Sequence, residues 1–338
     1  MESRNRLDSM TDSNRSNAKG ALLALAAFAI FATHDVVVKT LGAFYAPFQI
    51  IFFSVLLSFP LATIMLMHDR ASGTLRPVHP WWVALRTLAT VVTGLSAFYA
   101  FTVLPLAQTY AILFTSPLLI TVLSIPILGE RVGIHRWLAV IAGLAGVLIV
   151  LRPGAEPLSL GHAAAVMAAL SSSTASVVVR KIGREERSAV LMLYPMVTSF
   201  VLMACALPFV YRPMPILHLG GVAVIALFGF AAGLVIIAAY RAGDAAVVAP
   251  MQYSQIIWAA LYGAVFFGES PDPVTWLGAA VIIASGLYVV LRESLSGRSR
   301  TTPVLSTKQR PDTATAPRVP GLTGLPGRRG ERVLPTPR

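Results

Sequence analysis

Apolar runs of about 20 residues, each as long as a helix needs to cross roughly 30 Å of hydrocarbon, follow one another from Gly20 to Leu291 with only short polar gaps. Lipid offers backbone N–H and C=O groups no partner, so such runs fold either as spanning helices or as a closed barrel. The alternation of apolar and polar residues that a barrel wall requires is absent, which leaves helices. The spans read as Gly20 to Leu41, Pro47 to Met67, Trp81 to Leu104, Leu106 to Leu128, Trp137 to Leu151, Leu160 to Ile182, Ala189 to Val210, Ile216 to Tyr240, Ala245 to Phe267 and Val274 to Leu291. The expected fold is an all-α integral membrane protein with ten transmembrane helices. Only 12% of the residues are charged, against roughly 25% in soluble domains.

The chain is also duplicated. THDVVVKTLG, from Thr33 to Gly42, returns as TASVVVRKIG, from Thr174 to Gly183, at an offset of 141 residues. Leu106 to Arg152 and Ala245 to Arg292 share a Gly-Glu pair (Gly129, Glu130 and Gly268, Glu269), a Trp seven residues after the Glu, and a closing Val-Leu-Arg. Five helices per copy is an odd number, so the second copy must enter the membrane upside down. Inverted repeats of this kind are the architecture of alternating-access carriers, whose sites lie near the midplane between the halves. The expected division is a polar tail at 1–19, a first repeat at 20–152, a linker at 153–158, a second repeat at 159–292 and a basic tail at 293–338. That last tail is rich in Pro, Gly, Thr and Arg, a composition expected to be disordered. The first apolar run is longer than a signal-peptide core and lacks a small-residue cleavage site, so it is expected to be a retained span.

The formal net charge of +12 does not point to nucleic acid, because the cations sit at the chain ends and in short loops. They fall mainly on one side: the amino-terminal tail, Arg70, Arg76, Arg131, Arg136, the Arg180 to Arg187 cluster, Arg241 and the tail beyond Arg292. The excess of Lys and Arg on the cytoplasmic side then puts both termini in the cytoplasm. Cys205 is the only cysteine, which excludes an intrachain disulfide and a cysteine-rich metal site. Zinc-protease, nucleophile-elbow and phosphate-loop signatures are absent, as is a pair of carboxylates within the spans. Neither an enzyme nor a cofactor is expected, and transport without an ATP site has to be secondary.

The layout, with LPLAQTYAILFTSPLLITVLSIPILGERVGIHRWLAVIAGLAGVLIVLRP in the first half and the echo ending YGAVFFGES in the second, resembles the EamA family of the drug/metabolite transporter superfamily over about residues 20–292. The resemblance implies a ten-helix carrier of the inner (plasma) membrane built from two EamA repeats and moving a small organic metabolite, such as an amino acid, a nucleoside, riboflavin or S-adenosylmethionine. It also implies a central cavity lined by helices 3, 4, 8 and 9. Membrane lipid and the solute are the expected partners, and the protein is expected as a monomer or homodimer. Ile256 stands where the first repeat has Pro117, so the Pro117 kink is not repeated in sequence, though Pro250 lies nearer the start of the ninth run. A non-transporting membrane receptor or scaffold is the competing reading.

Asp35 is the only carboxylate well inside a span, and burying it ionised costs about 2.5 to 3.5 kcal/mol on insertion scales unless it is paired or protonated. Lys39, one turn on, is a candidate neutralising partner. Asp35 and its neighbour His34 are the candidate proton-coupling residues, although His34 points about 100° away around the helix. The candidate substrate-binding residues are Gln252, Tyr253, Gln255 and Trp258 on the ninth helix, with Tyr110 and Thr115 on the fourth. Buried amides must find hydrogen-bond partners, either on a solute or on a neighbouring helix. Arg86 is expected to reach the cytoplasmic boundary with its long stem, and Glu130 and Glu269 to satisfy amide donors at the starts of helices 5 and 10.

Overall fold

The computed structural model describes the backbone of residues 2–67, 75–130, 132–152, 158–183 and 185–295, and side chains within 17–64, 75–130, 132–152, 158–183, 185–244 and 247–289. The basic tail from 296 on, most of the 153–158 linker, and Arg70 and Arg131 lie outside the described residues.

Every regular element among the described residues is helical: α1 (Glu2–Gly42), α2 (Pro47–Met67), α3 (Pro80–Val103), α4 (Leu106–Leu113), α5 (Ser116–Leu128), α6 (Ile134–Leu151), α7 (Leu160–Ile182), α8 (Ser188–Val210), α9 (Ile216–Ala242), α10 (Ala245–Val248), a 3-10 turn (Ala249–Tyr253), α11 (Ser254–Phe267) and α12 (Pro273–Leu295). Counting α4 and α5 as one, eight of these helices are long and apolar enough to cross a membrane. The ninth run is divided by the 3-10 turn, and α12 carries a shorter apolar stretch, Pro273–Val289. The outward face of α6 exposes Leu138, Ile141 and Leu148, an apolar exterior that only lipid solvates well.

α1 is longer than the sequence suggests. Its backbone is helical from Glu2, while its apolar part begins at Asn17. Extending a helix that already exists carries no nucleation cost, so the polar arm continues the span.

The fourth and ninth runs are both broken, and at equivalent places. Pro117 has no N–H for the Leu113 carbonyl, and the Ser116 hydroxyl donates to that carbonyl instead at 2.7 Å. In the second repeat the break is the 3-10 turn Ala249–Tyr253, which ends at the counterpart of Phe114 even though Ile256 replaces the proline. Pro250, inside the 3-10 turn, provides it.

The Gly-Glu pairs are helix ends, and the expected amide donors change: the Glu269 carboxylate accepts from the Leu106 N–H at the start of α4, not from the tenth span, and Glu130 pairs with Arg180 instead of serving the fifth span. Gly129 (φ +70°) and Gly268 (φ +65°) are left-handed C-caps of α5 and α11, a conformation glycine adopts without a Cβ penalty. The following Glu closes each turn with its backbone N–H, Glu130 to the Ser124 carbonyl and Glu269 to the Gly263 carbonyl.

Packing obeys the duplication. α1 lies on α9 as α7 lies on α3, α2 meets α9 as α8 meets α3, and α1 meets α11 as α7 meets α5, while α2–α8 and α6–α12 join counterparts directly and α4 meets α11 across the two broken runs. α3 ends beside the end of α1, where Lys39 Nζ donates to the Leu104 carbonyl. Its counterpart α9 ends beside the start of the apolar part of α1, where Asn17 and Asp244 exchange hydrogen bonds. Equivalent helices of the two repeats therefore run in opposite directions. α6 and α12 touch backbone to backbone: a Cβ on Gly278 would stand 2.8 Å from the Gly146 carbonyl oxygen. Gly278→Val should force these helices apart and destabilise the protein by about 1–3 kcal/mol, read as a lower melting temperature in detergent.

Candidate functional site

Asp35 lies about two turns before the end of α1 and is 1% exposed, as is His34. His34 Nδ1 stands 2.7 Å from Asp35 Oδ1. The expectation that His34 diverges from Asp35 is thereby corrected: adjacent Cβ atoms do diverge on a helix, but the imidazole turns back far enough to reach its neighbour. The Tyr110 hydroxyl donates to the other carboxylate oxygen, Asp35 Oδ2. Gln255 Nε2 in turn donates to the Tyr110 hydroxyl oxygen at 3.3 Å.

The chain breaks place these groups. Tyr110 is in the last turn of α4 before the first break, and Gln255 is in the first turn of α11 after the second. The two broken helices thus build one chain of hydrogen bonds, Gln255 to Tyr110 and Tyr110 to the carboxylate of α1, which helps offset the cost of burying it. His34, Asp35 and Tyr110 belong to the first repeat and Gln255 to the second. A network on discontinuous helices at the junction of inverted repeats is where membrane carriers bind solutes and coupling ions.

The other candidate residues stand apart from the network. The Thr115 hydroxyl donates to the Ile112 carbonyl of its own turn at 2.8 Å, so it repairs the break. Tyr253 packs edge-on against Phe114, with its hydroxyl against Gly286 of α12. Trp258 stacks beside Tyr262, whose hydroxyl meets Thr33 Oγ1 at 3.1 Å. Gln252 is half-buried, and no hydrogen bond is described for it. Gln252, Gln255 and Trp258 are spaced three residues apart, but the first belongs to the 3-10 turn and the others to α11.

Lys39 does not neutralise Asp35. Its Nζ pairs with Glu269 Oε1 at 2.6 Å, across the repeats. Arg86 is not a boundary anchor either. It is 2% exposed, and its guanidinium donates to the Leu191 carbonyl of α8. That carbonyl is the one Pro195, four residues on and inside α8, leaves without a helical donor.

A cavity of about 20 Å³ opens between α1, α2, α3 and α8, lined by His34, Ser54, Gly94, Phe98, Ser199 and Met203 among others. It shares only α3 with the expected lining. Space of that size admits one or two water molecules, not a metabolite. His34 belongs both to this cavity and to the carboxylate network.

The sequence reading missed Glu269 as the partner of Lys39 and Arg86 as a donor to a proline-freed carbonyl. For the first a signal existed, since Lys39 and Glu269 both lie in the duplicated motifs. For the second, Pro195 within an apolar run marks a carbonyl in need of a donor, but not which helix supplies it.

Residues 18–152 and 159–292 each match the model of the EamA-like transporter family. The chain is 26% identical over 264 residues to the S-adenosylmethionine uptake transporter of Rickettsia bellii, covering 77% of this chain and 89% of that one. It is 32% identical over 200 residues to the riboflavin transporter of Vibrio cholerae, covering 57% and 65%. A solved crystal structure superposes with a TM-score of 0.56 at 20% identity, over 85% of this chain and 99% of the other, which is a likeness of fold.

Proposed function

Because this chain belongs to the EamA-like transporter family, we propose that it is a secondary carrier of a small organic metabolite that works by alternating access, with the Asp35 network as its solute and proton centre. One observation carries the reading: a buried carboxylate on α1 accepts from Tyr110 of one broken helix, and the Tyr110 hydroxyl accepts in turn from Gln255 of the broken helix of the other repeat. Relative motion of the repeats at those breaks makes or breaks the Gln255–Tyr110 bond and so alters the donor that Tyr110 offers the carboxylate. That couples a change of protonation or of bound solute to a change of conformation.

In this reading residues 20–152 and 159–292 are the two EamA repeats, joined by 153–158, and ten helices cross the inner membrane with the tails 1–19 and 293–338 in the cytoplasm. Asp35 and His34 exchange the proton. Gln255 and Tyr110 contact the solute, with Gln252 and Trp258 flanking Gln255, and Tyr253 and Thr115 shaping the breaks. S-adenosylmethionine and riboflavin, taken from the names of the relatives, are the first solutes to test.

The experiment is uptake of labelled solute into proteoliposomes. Saturable, gradient-dependent flux supports the carrier and eliminates a receptor or scaffold; specific solute binding without flux overturns it. Tyr110→Phe should lower both flux and thermal stability, because it deprives Asp35 of a donor and Gln255 of an acceptor at a cost of about 1–3 kcal/mol.

A further inference from the structure

Of the ion pairs that cross from one repeat to the other among the described residues, Arg152–Asp272 and His79–Glu185 included, two are counterparts by the duplication. Lys39, near the end of α1, holds Glu269 at 2.6 Å. Arg180, near the end of α7, holds Glu130 at 2.7 Å. Lys39 and Arg180 are the same position of the duplicated decapeptide, and Glu130 and Glu269 the same position of the duplicated Gly-Glu pair. The pairs are equally enclosed: Lys39 and Glu269 side chains are 11% and 20% exposed, Arg180 and Glu130 side chains 9% and 19%. Both carboxylates follow a left-handed glycine that fixes the backbone carrying them. Each end is also tied through a backbone carbonyl, Leu104 by Lys39 and Ile127 by Lys181.

The pairs close opposite ends of the bundle. Lys39 bonds to Leu104, and the Leu104 side chain packs over Gly161 at the start of α7. Arg180 is 19 residues further along the same helix by numbering, about 28 Å at 1.5 Å per residue.

We infer that these two pairs are the alternating latches of the transport cycle, the Lys39–Glu269 pair holding one mouth shut and the Arg180–Glu130 pair the other. The inference rests on the carrier reading above. A contact that spans the seam between two repeats must part when they separate at that end. Each pair sits close enough to the surface that its ions regain water on parting, which keeps the open and closed ends close in free energy. The duplicated motifs thereby place one latch at each mouth.

The test uses the full chain with Cys205→Ala, and Ser54→Cys in the α1/α2/α3/α8 cavity as reporter, labelled by a membrane-impermeant thiol reagent from each side of oriented vesicles without solute. Glu269→Gln should raise labelling from the Lys39 face about fivefold or more and lower it from the opposite face, and Glu130→Gln should do the reverse. The swapped pair Lys39→Glu with Glu269→Lys should return labelling toward the parent. Shifts in the same direction for both variants, or no shift while both lose thermal stability, would mean static clamps and overturn the proposal. If a glutamine variant fails to insert, Lys39→Gln and Arg180→Gln remove the same pairs and carry the same expectation. Absence of solute flux in the parent protein would sink the carrier reading instead, a result the solute-free labelling does not depend on.

Discussion

Proteoliposomes carrying Asp35→Asn should take up solute at one rate whether or not a pH gradient is imposed, whereas the parent protein responds to the gradient. Asn keeps the shape of Asp and an acceptor for the Tyr110 hydroxyl, so the fold survives. What it loses is the only acid–base group on this side chain and the charge that faces His34 Nδ1 at 2.7 Å. A folded Asp35→Asn protein that still follows the gradient would remove Asp35 from proton coupling. Asp35→Ala separates the structural contribution. It leaves the Tyr110 hydroxyl and the His34 ring buried without their acceptor, at a cost of about 1–3 kcal/mol, which should show as a lower melting temperature that Asp35→Asn largely avoids.

The second large effect concerns Arg86 and Pro195. Arg86→Leu should destabilise the bundle by about 1–3 kcal/mol, because the Leu191 carbonyl loses a buried donor. Pro195→Ala returns an N–H to α8 and with it the ordinary partner for that carbonyl. In the double variant the loss of Arg86 should therefore cost less than it does alone, with a coupling of about 1 kcal/mol, in the range measured for polar contacts between membrane helices. Thermal unfolding of the four proteins in one detergent gives the cycle. Strict additivity would show that Arg86 supports the fold through other contacts and not through the carbonyl that Pro195 frees.

Much of the architecture was legible in the residues. Apolar length marked the helices, and the repeated THDVVVKTLG and Gly-Glu motifs marked two copies, whose counterparts α3 and α9 run oppositely. Asp35 stood out as a carboxylate in an apolar run, and Tyr110 and Gln255 were singled out as polar groups on the two broken helices. Their convergence was not legible. Asp35 and Tyr110 are 75 residues apart, and Tyr110 and Gln255 are 145 apart. Helical periodicity says which face of a helix a residue occupies, but not which helix that face meets.

Local chemistry also misled where two partners competed. Lys39 lies one turn from Asp35, close enough to neutralise it, yet the tertiary fold offers it Glu269 and the Leu104 carbonyl. Asp35 then takes neutral donors such as Tyr110. Arg86 lies near enough to a helix start for its stem to reach the interface, yet a carbonyl freed by proline on a neighbouring helix holds it inside. The apolar pattern and the duplication determined which segments are apolar helices and which elements are equivalent, since both follow from segment length and covalent order. Only the tertiary structure decided which polar groups meet, because inside lipid each buried donor and acceptor is satisfied by whatever the packing of distant helices brings within hydrogen-bond reach.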